Sequence, residues 1–221
     1  MIKFLSQLLD LIYKKRCYFC RSTDSGNLMC ENCFESIEFL PCKIFRNING
    51  CQVFCASVYK DNLQKLIRGL KYHNKKELAY FQAKLMYEYW KKLTVSEKKF
   101  VIVPVPLYSK REKQRGYNHM LLVAQEFAKL AGENYIVENN LIKRIKNTKP
   151  QYKLSKAQRE QNLKNAFEIT KNCDKFKNKN ILIFDDILTT GSTLEEMIKV
   201  FKQNGFENLY AFTTSCAKHS F

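Results

Sequence analysis

Two sets of residues have the types and spacing that chemistry needs. The first is the run ILIFDDILTTGST, from Ile181 to Thr193. Four apolar residues lead into two adjacent carboxylates, Asp185 and Asp186. Hydroxyls around one glycine follow: Thr189, Thr190, Gly191, Ser192 and Thr193. Burying ions is costly, and small hydroxylated residues fill no core. The stretch therefore reads as a strand that delivers polar groups to a crevice, the usual place for ligands in an open α/β sheet. At the strand end the chain is turning, which lets both acids reach the same crevice. Carboxylates there accept hydrogen bonds from vicinal sugar hydroxyls, or hold a hydrated magnesium ion. Ser192 or Thr193 then opens a helix, with Glu195 and Glu196 three residues on as capping-box partners. The N–H groups of a helix's first turn bind phosphate, and Gly191 lets backbone approach closely. A diol at the acids and a phosphate at the loop lie about one ribose apart, so the residues alone suggest a ribose 5-phosphate.

The second set is four cysteines. Cys17 and Cys20 form one Cys-x-x-Cys knuckle, and Cys30 and Cys33 form another nine residues later. Each pair can grip one side of a tetrahedral ion. A closed four-sulfur site suits structural zinc and leaves no open position for catalysis; an iron–sulfur cluster is the alternative. Seven of the nine cysteines fall between Cys17 and Cys55, and in a reducing compartment such a cluster indicates metal before disulfides. Cys42, Cys51 and Cys55 lack a clean partner set and read as core or as the remnant of a second knuckle.

These groups need a scaffold, and hydrophobic periodicity outlines it. Residues 14–56 show little periodicity and read as a small module built around something other than a core. CASVY is strand-like. Leu63, Leu66, Ile67 and Leu70 fall at helical spacing, as do Leu78, Phe81, Leu85 and Tyr89. FVIVPVP is a buried strand stopped by Pro104 and Pro106. A basic loop, the helix HMLLVAQEFAKLA ending at Gly132, and the extended YIVENNLIKRI follow. Residues 146–162 are polar and long enough for a functional loop. NAFEIT and NILIF are strands, STLEEMIKVFKQN is a helix, and NLYAFTTSCA is the last strand. Strands alternating with helices predict an α/β fold with a mainly parallel sheet. The expected division is a metal module over 1–56 and an α/β domain over 57–221. Tyr87, Tyr89 and Trp90 are candidates for core or interface.

The chain has 221 residues, of which 45% are hydrophobic and 13% aromatic, enough for a substantial core. Its net charge is +17, from 38 Lys+Arg against 21 Asp+Glu. Such a field attracts nucleic acid, anionic lipid or phosphorylated small molecules, although lysine is spread throughout and part of the charge is compositional. No apolar run approaches the roughly 20 residues that span a bilayer. MIKFLSQLLDLIYKK carries Asp10 inside its apolar part and lacks a small-residue cleavage site. Phe4, Leu5, Leu8, Leu9 and Ile12 give it amphipathic helical spacing; lying on a membrane surface is the alternative use. The expectation is a cytoplasmic protein that is not an integral membrane protein.

The acid pair with its TTGST loop resembles the phosphoribosyl-pyrophosphate loop of type I phosphoribosyltransferases. The cysteine knuckles followed by such a domain resemble the ComF family, whose members include competence proteins of naturally transformable bacteria. LKYHNKKELA (70–79), VPVPLYSKREKQRGYN (103–118) and RIKNTKPQYKLSKAQREQNLKNAF (144–167) resemble further segments of that family. The resemblance implies a type I phosphoribosyltransferase-like fold. It implies that Asp185 and Asp186 bind the ribose hydroxyls and that Thr189 to Thr193 cradle the 5-phosphate. Magnesium and basic residues would neutralise the pyrophosphate, with Arg115 and Lys71 as candidates. The loop 146–162, with Lys149 and Arg159, resembles the hood that closes over the reaction. Two positions depart from the family's pattern: His119 stands where glutamine is common, and Asn165 where glycine is common. Neither is expected to touch the ribose-phosphate site.

Phosphoribosyl transfer passes through an oxocarbenium-like state, in which positioning, leaving-group neutralisation and exclusion of water do the catalysis. No covalent nucleophile is required, and neither His73 nor His119 stands out as a general acid or base. Three functions compete. One is transfer of phosphoribose to a base or related acceptor. The second is single-stranded DNA binding, with Tyr117 and Tyr152 among basic residues for stacking. The third is a sensor that binds phosphoribosyl pyrophosphate without turnover. Competence-machinery proteins are the expected macromolecular partners.

Overall fold

The computed structural model describes residues 16–23, 26–148, 162–170 and 173–217. The N-terminal segment read as an amphipathic helix lies outside them, as do Lys149, Tyr152 and Arg159. After the knuckle residues and a short helix α1 (Glu31–Glu35), a hairpin of β1 (Arg46–Ile48) and β2 (Cys51–Val58) leads to α2 (Asp61–Tyr72) and α3 (Leu78–Trp90). Then come β3 (Phe100–Pro104), α4 (Ser109–Arg115), α5 (His119–Ala131), β4 (Tyr135–Val137) and β5 (Ile142–Arg144). The described chain finishes with β6 (Phe167–Ile169), β7 (Asn180–Leu188), α6 (Ser192–Gln203) and β8 (Leu209–Cys216).

The main sheet has the order β1-β2-β8-β7-β3-β4, and every pair in it is parallel except β1 with β2. β5 and β6 form a separate antiparallel pair. This is the α/β arrangement that the alternation of strands and helices predicts. From β3 the chain crosses to β4 on one side, and from β7 to β8 on the other. The carboxyl ends of β3 and β7 therefore diverge, and a crevice opens between them.

The side-chain period of two divides the core between the two faces of the sheet. Phe54, Ile102, Leu182, Phe184 and Phe212 pack with α2, α3 and α5. Val53, Val103, Ile181, Ile183 and Ala211 pack with α6 and with Leu163 and Phe167 around the small sheet. Tyr89 and Trp90 are core residues with no exposed surface; Trp90 Nε1–H donates to Tyr135 Oη at 2.8 Å.

Several expectations change. The basic segment after β3 is not a loop, since Ser109–Arg115 is helical and ends at Gly116 in the left-handed region, φ +81°. YIVENNLIKRI splits between the two sheets as β4 and β5. The cysteine region shares the main core, because Cys17, Phe19, Met29, Cys30, Cys33 and Ile37 are continuous with the α2–α3 face. The expected boundary at 56/57 falls inside β2. Cys51 and Cys55 are buried in β2, while Cys42 is exposed. No described helix is long and apolar enough to cross a membrane.

Candidate functional site

β7 does not stop at the acids. Its pairing with β3 ends at Phe184, but its pairing with β8 runs on to Leu188 opposite Cys216. Asp185 and Asp186 therefore lie within an extended strand, just past the point where β3 ends. Adjacent residues in a strand point to opposite faces. The two carboxylates separate accordingly, rather than turning together.

Asp186 points to the α2–α5 face and is buried. Lys71, from the last turn of α2, places Nζ 2.6 Å from Oδ2. His119, the first residue of α5, places Nε2 2.5 Å from the same oxygen. Arg115 Nη1 lies 2.9 Å from His119 Nδ1. A guanidinium only donates, so Nδ1 accepts and Nε2–H donates to Asp186. Burial pushes the imidazole's pKa down; Asp186 opposes this, and Lys71 and Arg115 reinforce it. His119 is thus neutral, with one donor and one acceptor. Burial would raise Asp186, but the Lys71 ammonium and the His119 hydrogen bond outweigh it and hold the carboxyl well below the usual range. For Lys71, burial is likewise outweighed by its attraction to Asp186, and its pKa is raised. The departure at His119 thus bears directly on the acid pair, contrary to expectation. A neutral imidazole and a glutamine amide each offer one donor and one acceptor here.

Asp185 is half-buried and lines a small cleft with Ile187, Leu188, Thr189, Gly191, Ser192 and Thr193. Burial, then the charge on Asp186, pushes its carboxyl up to about 7, against the pull of Lys71 and Arg144. The loop beside it is built on Gly191, whose φ of +94° suits glycine. Gly191 is the N-cap of α6 and Ser192 the first helical residue. The capping box is not formed. Glu196 Oε1 instead accepts the N–H of Asn165 at 2.7 Å. Asn165 sits at φ +53°, which accounts for the glycine that is common there. Thr190 Oγ1 and Ser192 Oγ are hydrogen-bonded at 2.7 Å, and a Cβ added to Gly191 would lie 3.2 Å from Ile48 Cδ1.

Other expected groups have structural partners. Arg115 hydrogen-bonds His119 and lies over the Tyr72 ring, 5.9 Å from its centroid. Tyr117 is buried, its hydroxyl donating to Leu70 O at 2.6 Å, so it is no stacking surface. Asn118 caps α5 by accepting from the Met120 N–H, and its amide donates to Val105 O. The Arg-Gly-Tyr-Asn segment thus joins the end of β3 to α2 and α5.

Three arginines escaped the residue-by-residue reading. Arg46 of β1 donates to Thr190 O at 3.2 Å and so buttresses the Gly191 loop. Arg111 of α4 donates to Thr148 O, and Arg144 at the end of β5 donates to Thr148 Oγ1. Arg144 Nε is buried without a hydrogen-bond partner. Burial, and then repulsion from Arg111, pushes the Arg144 guanidinium down to about 10, with Asp185 drawing it back. Among the described residues neither guanidinium forms an ion pair. Arg111 and Arg144 lie inside the family-like segments 103–118 and 144–167, but nothing in their spacing singles them out, and Arg46 carries no local signal.

The four knuckle sulfurs all lie within 4.8 Å of one another, with Cys20 and Cys30 Sγ 3.6 Å apart. Tetrahedral zinc at about 2.3 Å from each sulfur needs separations of roughly 3.8 Å. Burial opposes ionisation of Cys17, but hydrogen bonds from the backbones of Cys20, Cys30 and Phe19 outweigh it and bring the thiol down to about 6. Burial and the neighbouring thiols push Cys33 up. Thiols that oppose one another's ionisation are what a divalent cation resolves. Cys17, Cys20, Cys30 and Cys33 fit a structural zinc ion, and their metal would supply cross-linking rather than reaction chemistry.

Comparison with known proteins places the chain. No protein-family model matches it. It is 35% identical to Competence protein F of Haemophilus influenzae, over 68% of this chain and 66% of that protein. It is 32% identical to DNA utilization protein YhgH of Salmonella typhimurium, over 67% and 65%. It is 26% identical to Competence protein ComFC of Bacillus subtilis, over 86% and 72%. The aligned stretch thus spans just under two thirds of the length of the first two relatives. The chain belongs to the ComF family.

Proposed function

We propose that this chain binds phosphoribosyl pyrophosphate with magnesium, transfers the phosphoribosyl group to an acceptor derived from nucleic acid, and serves DNA utilisation or competence. The observation that carries this is the shared cleft of Asp185 and the Thr189–Thr193 loop at the carboxyl end of β7, beside the divergence from β3. The loop suits a 5-phosphate and the carboxylate a ribose diol. Arg111 and Arg144 supply the second anion site that a pyrophosphate group needs, and they take the place of Arg115 and Lys71 as its best candidates. In the reaction the bond from C1 to the pyrophosphate oxygen breaks, and its electron pair leaves with pyrophosphate. The acceptor's lone pair forms the new bond to C1. The chain's part is to hold the two charged ends and steady the charge that builds between them. The names of the relatives, which speak of competence and DNA utilisation, support the biological setting.

The test is calorimetric titration of magnesium phosphoribosyl pyrophosphate into the wild type and an Asp185→Asn, Arg144→Gln variant whose fold is checked by circular dichroism. Binding by the wild type and loss of at least tenfold in the variant is the expected result. Equal affinity, or no binding by the wild type, rejects the site. Pyrophosphate release in a screen of bases and nucleotides then separates an enzyme from a sensor. A single-stranded DNA role has one specific support: Tyr72 is 61% exposed, with the Arg115 guanidinium over its ring, a stacking surface on a chain of charge +17. It predicts binding to an oligonucleotide that weakens steeply with salt.

A further inference from the structure

The cysteine module reaches the helix turn that carries Lys71 through Tyr18. Tyr18 lies inside the first knuckle, between Cys17 and Cys20. Its hydroxyl is hydrogen-bonded to His73 Nδ1 at 2.5 Å, and His73 is the C-cap of α2. Its ring lies against Gly69, where an added Cβ would sit 3.3 Å from Tyr18 Cε1 and 2.4 Å from Leu78 Cδ1. Glycine at 69 is therefore what lets the knuckle and α3 close on this turn. Lys71 stands between Gly69 and His73 and carries its ammonium to Asp186. On the other side, Tyr117 grips Leu70 O. Farther up α2, Asn62 Nδ2 donates to Cys33 O and Ser36 Oγ. Both knuckles thus rest on α2, and the first grips the turn that bears Lys71.

We infer that the first knuckle is a positioning element of the acid pair: Tyr18, held by the four-sulfur site, fixes the last turn of α2 so that Lys71 stays on Asp186. The last turn of α2 is held by the His73 and Lys75 N–H groups on Gly69 O, by the Tyr117 hydroxyl on Leu70 O and by Tyr18 on His73, and such a turn frays where its end contacts are lost. If the turn loosens, Asp186 keeps His119 but loses its only cation in contact among the described residues. The groups facing Asp186 are Lys71 from α2, His119 from α5 with Arg115 behind it, Asp185 in its own strand, and Tyr59 after β2.

The experiment compares Tyr18→Ala, Tyr18→Phe and His73→Ala, each alone and combined with Lys71→Met. Three readouts are metal per chain, thermal stability against pH, and affinity for magnesium phosphoribosyl pyrophosphate. The expected result is one metal ion retained in all variants and a clear stability loss in Tyr18→Ala. That loss should largely vanish when Lys71 is already methionine. Tyr18→Phe, which keeps the ring on Gly69 but not the hydrogen bond to His73, should recover part of it, and His73→Ala should reproduce the remainder. The acid limb of the stability curve should flatten, because Asp186 without its ammonium has less stability to lose on acidification. Additive losses in Tyr18→Ala and Lys71→Met, with an unchanged acid limb, overturn the inference. If Tyr18→Ala sheds metal, the His73→Ala arm decides, since that exposed residue lies outside the cysteine loop. The affinity arm alone rests on the proposed ligand. A wild type that does not bind rejects that function but leaves the coupling and the acid limb to judge the positioning role.

Discussion

Asp185 and Asp186 are neighbours in one strand, yet the two faces of β7 treat them in opposite ways. On the α2–α5 face Asp186 meets an ammonium and an imidazole N–H and stays ionised. On the other face Asp185 looks into the Gly191 cleft, and its carboxyl is pushed up to about 7. The difference follows from strand parity, not from residue type. One acid is already matched by the protein. The other has a partially unmet need for positive charge or for hydrogen-bond donors, which is a condition that a ligand can relieve. An adjacent acid pair therefore need not be two equal ligands for one sugar.

Substitutions can break this contrast. Lys71→Met leaves Asp186 buried without its ammonium and should cost about 3 kcal/mol, as breaking a buried pair does; chemical denaturation at pH 7 measures it. The stability from Asp186 is present above the ordinary carboxylate pKa and lost as pH falls through its depressed folded value. The Lys71→Met variant should therefore lose less on acidification than the wild type. At His119 the prediction separates charge from hydrogen bonding. His119→Leu strands the buried Asp186 and the half-buried Arg115 and should cost about 2 kcal/mol, whereas His119→Gln supplies the same donor and acceptor and should stay within about 1 kcal/mol. Equal losses in the two variants would refute the neutral tautomer.

For Asp185 the sign reverses. Its folded pKa lies above the unfolded one, so its ionisation erodes stability as pH rises from about 4 to about 7. Asp185→Asn should remove that erosion and melt a few degrees higher than the wild type at pH 8, while losing ligand. A melting temperature at pH 8 equal to or below the wild type's would contradict the contrast. The smallest effect is expected at Arg46→Gln. An amide in its place keeps some of the bond to Thr190 O, and stability should fall by about 0.5 kcal/mol, with a few-fold loss of phosphate affinity in titration.

Much of this was legible in the sequence where the signal is local. The strands and helices follow from apolar periodicity, the cysteine site from its spacing, and the Gly191 loop from its run of hydroxyls after a strand. The misses share a physical cause. The continuation of β7 to Leu188 is set by β8, whose residues lie far along the chain. Glu196 is drawn from the capping box by the Asn165 N–H, across 31 positions. Arg46 reaches Thr190 across 144 positions. His119 looked like a lone histidine because its worth lies in a tautomer that Arg115 and Asp186 impose together. Tyr117 looked like a stacking residue because an aromatic among basic residues does not show in sequence that its hydroxyl meets a helix carbonyl.

The pairing of β2 has a consequence in time. Its parallel neighbour is β8, joined for example by Thr213 Oγ1 donating to Phe54 O across 159 positions. A strand made early on the ribosome therefore waits for one made late. Until Leu209–Cys216 emerges, the β1–β2 hairpin has no place in the main sheet, and Arg46 cannot brace the Gly191 loop. Contacts of such long sequence separation slow folding, and the waiting strand has an unpaired edge open to other chains. Pulse-labelling hydrogen exchange should find the β2 amides protected in the same late phase as those of β8. A chain stopped before residue 209 should leave its first strand exposed to proteases while its cysteine knuckles still bind metal.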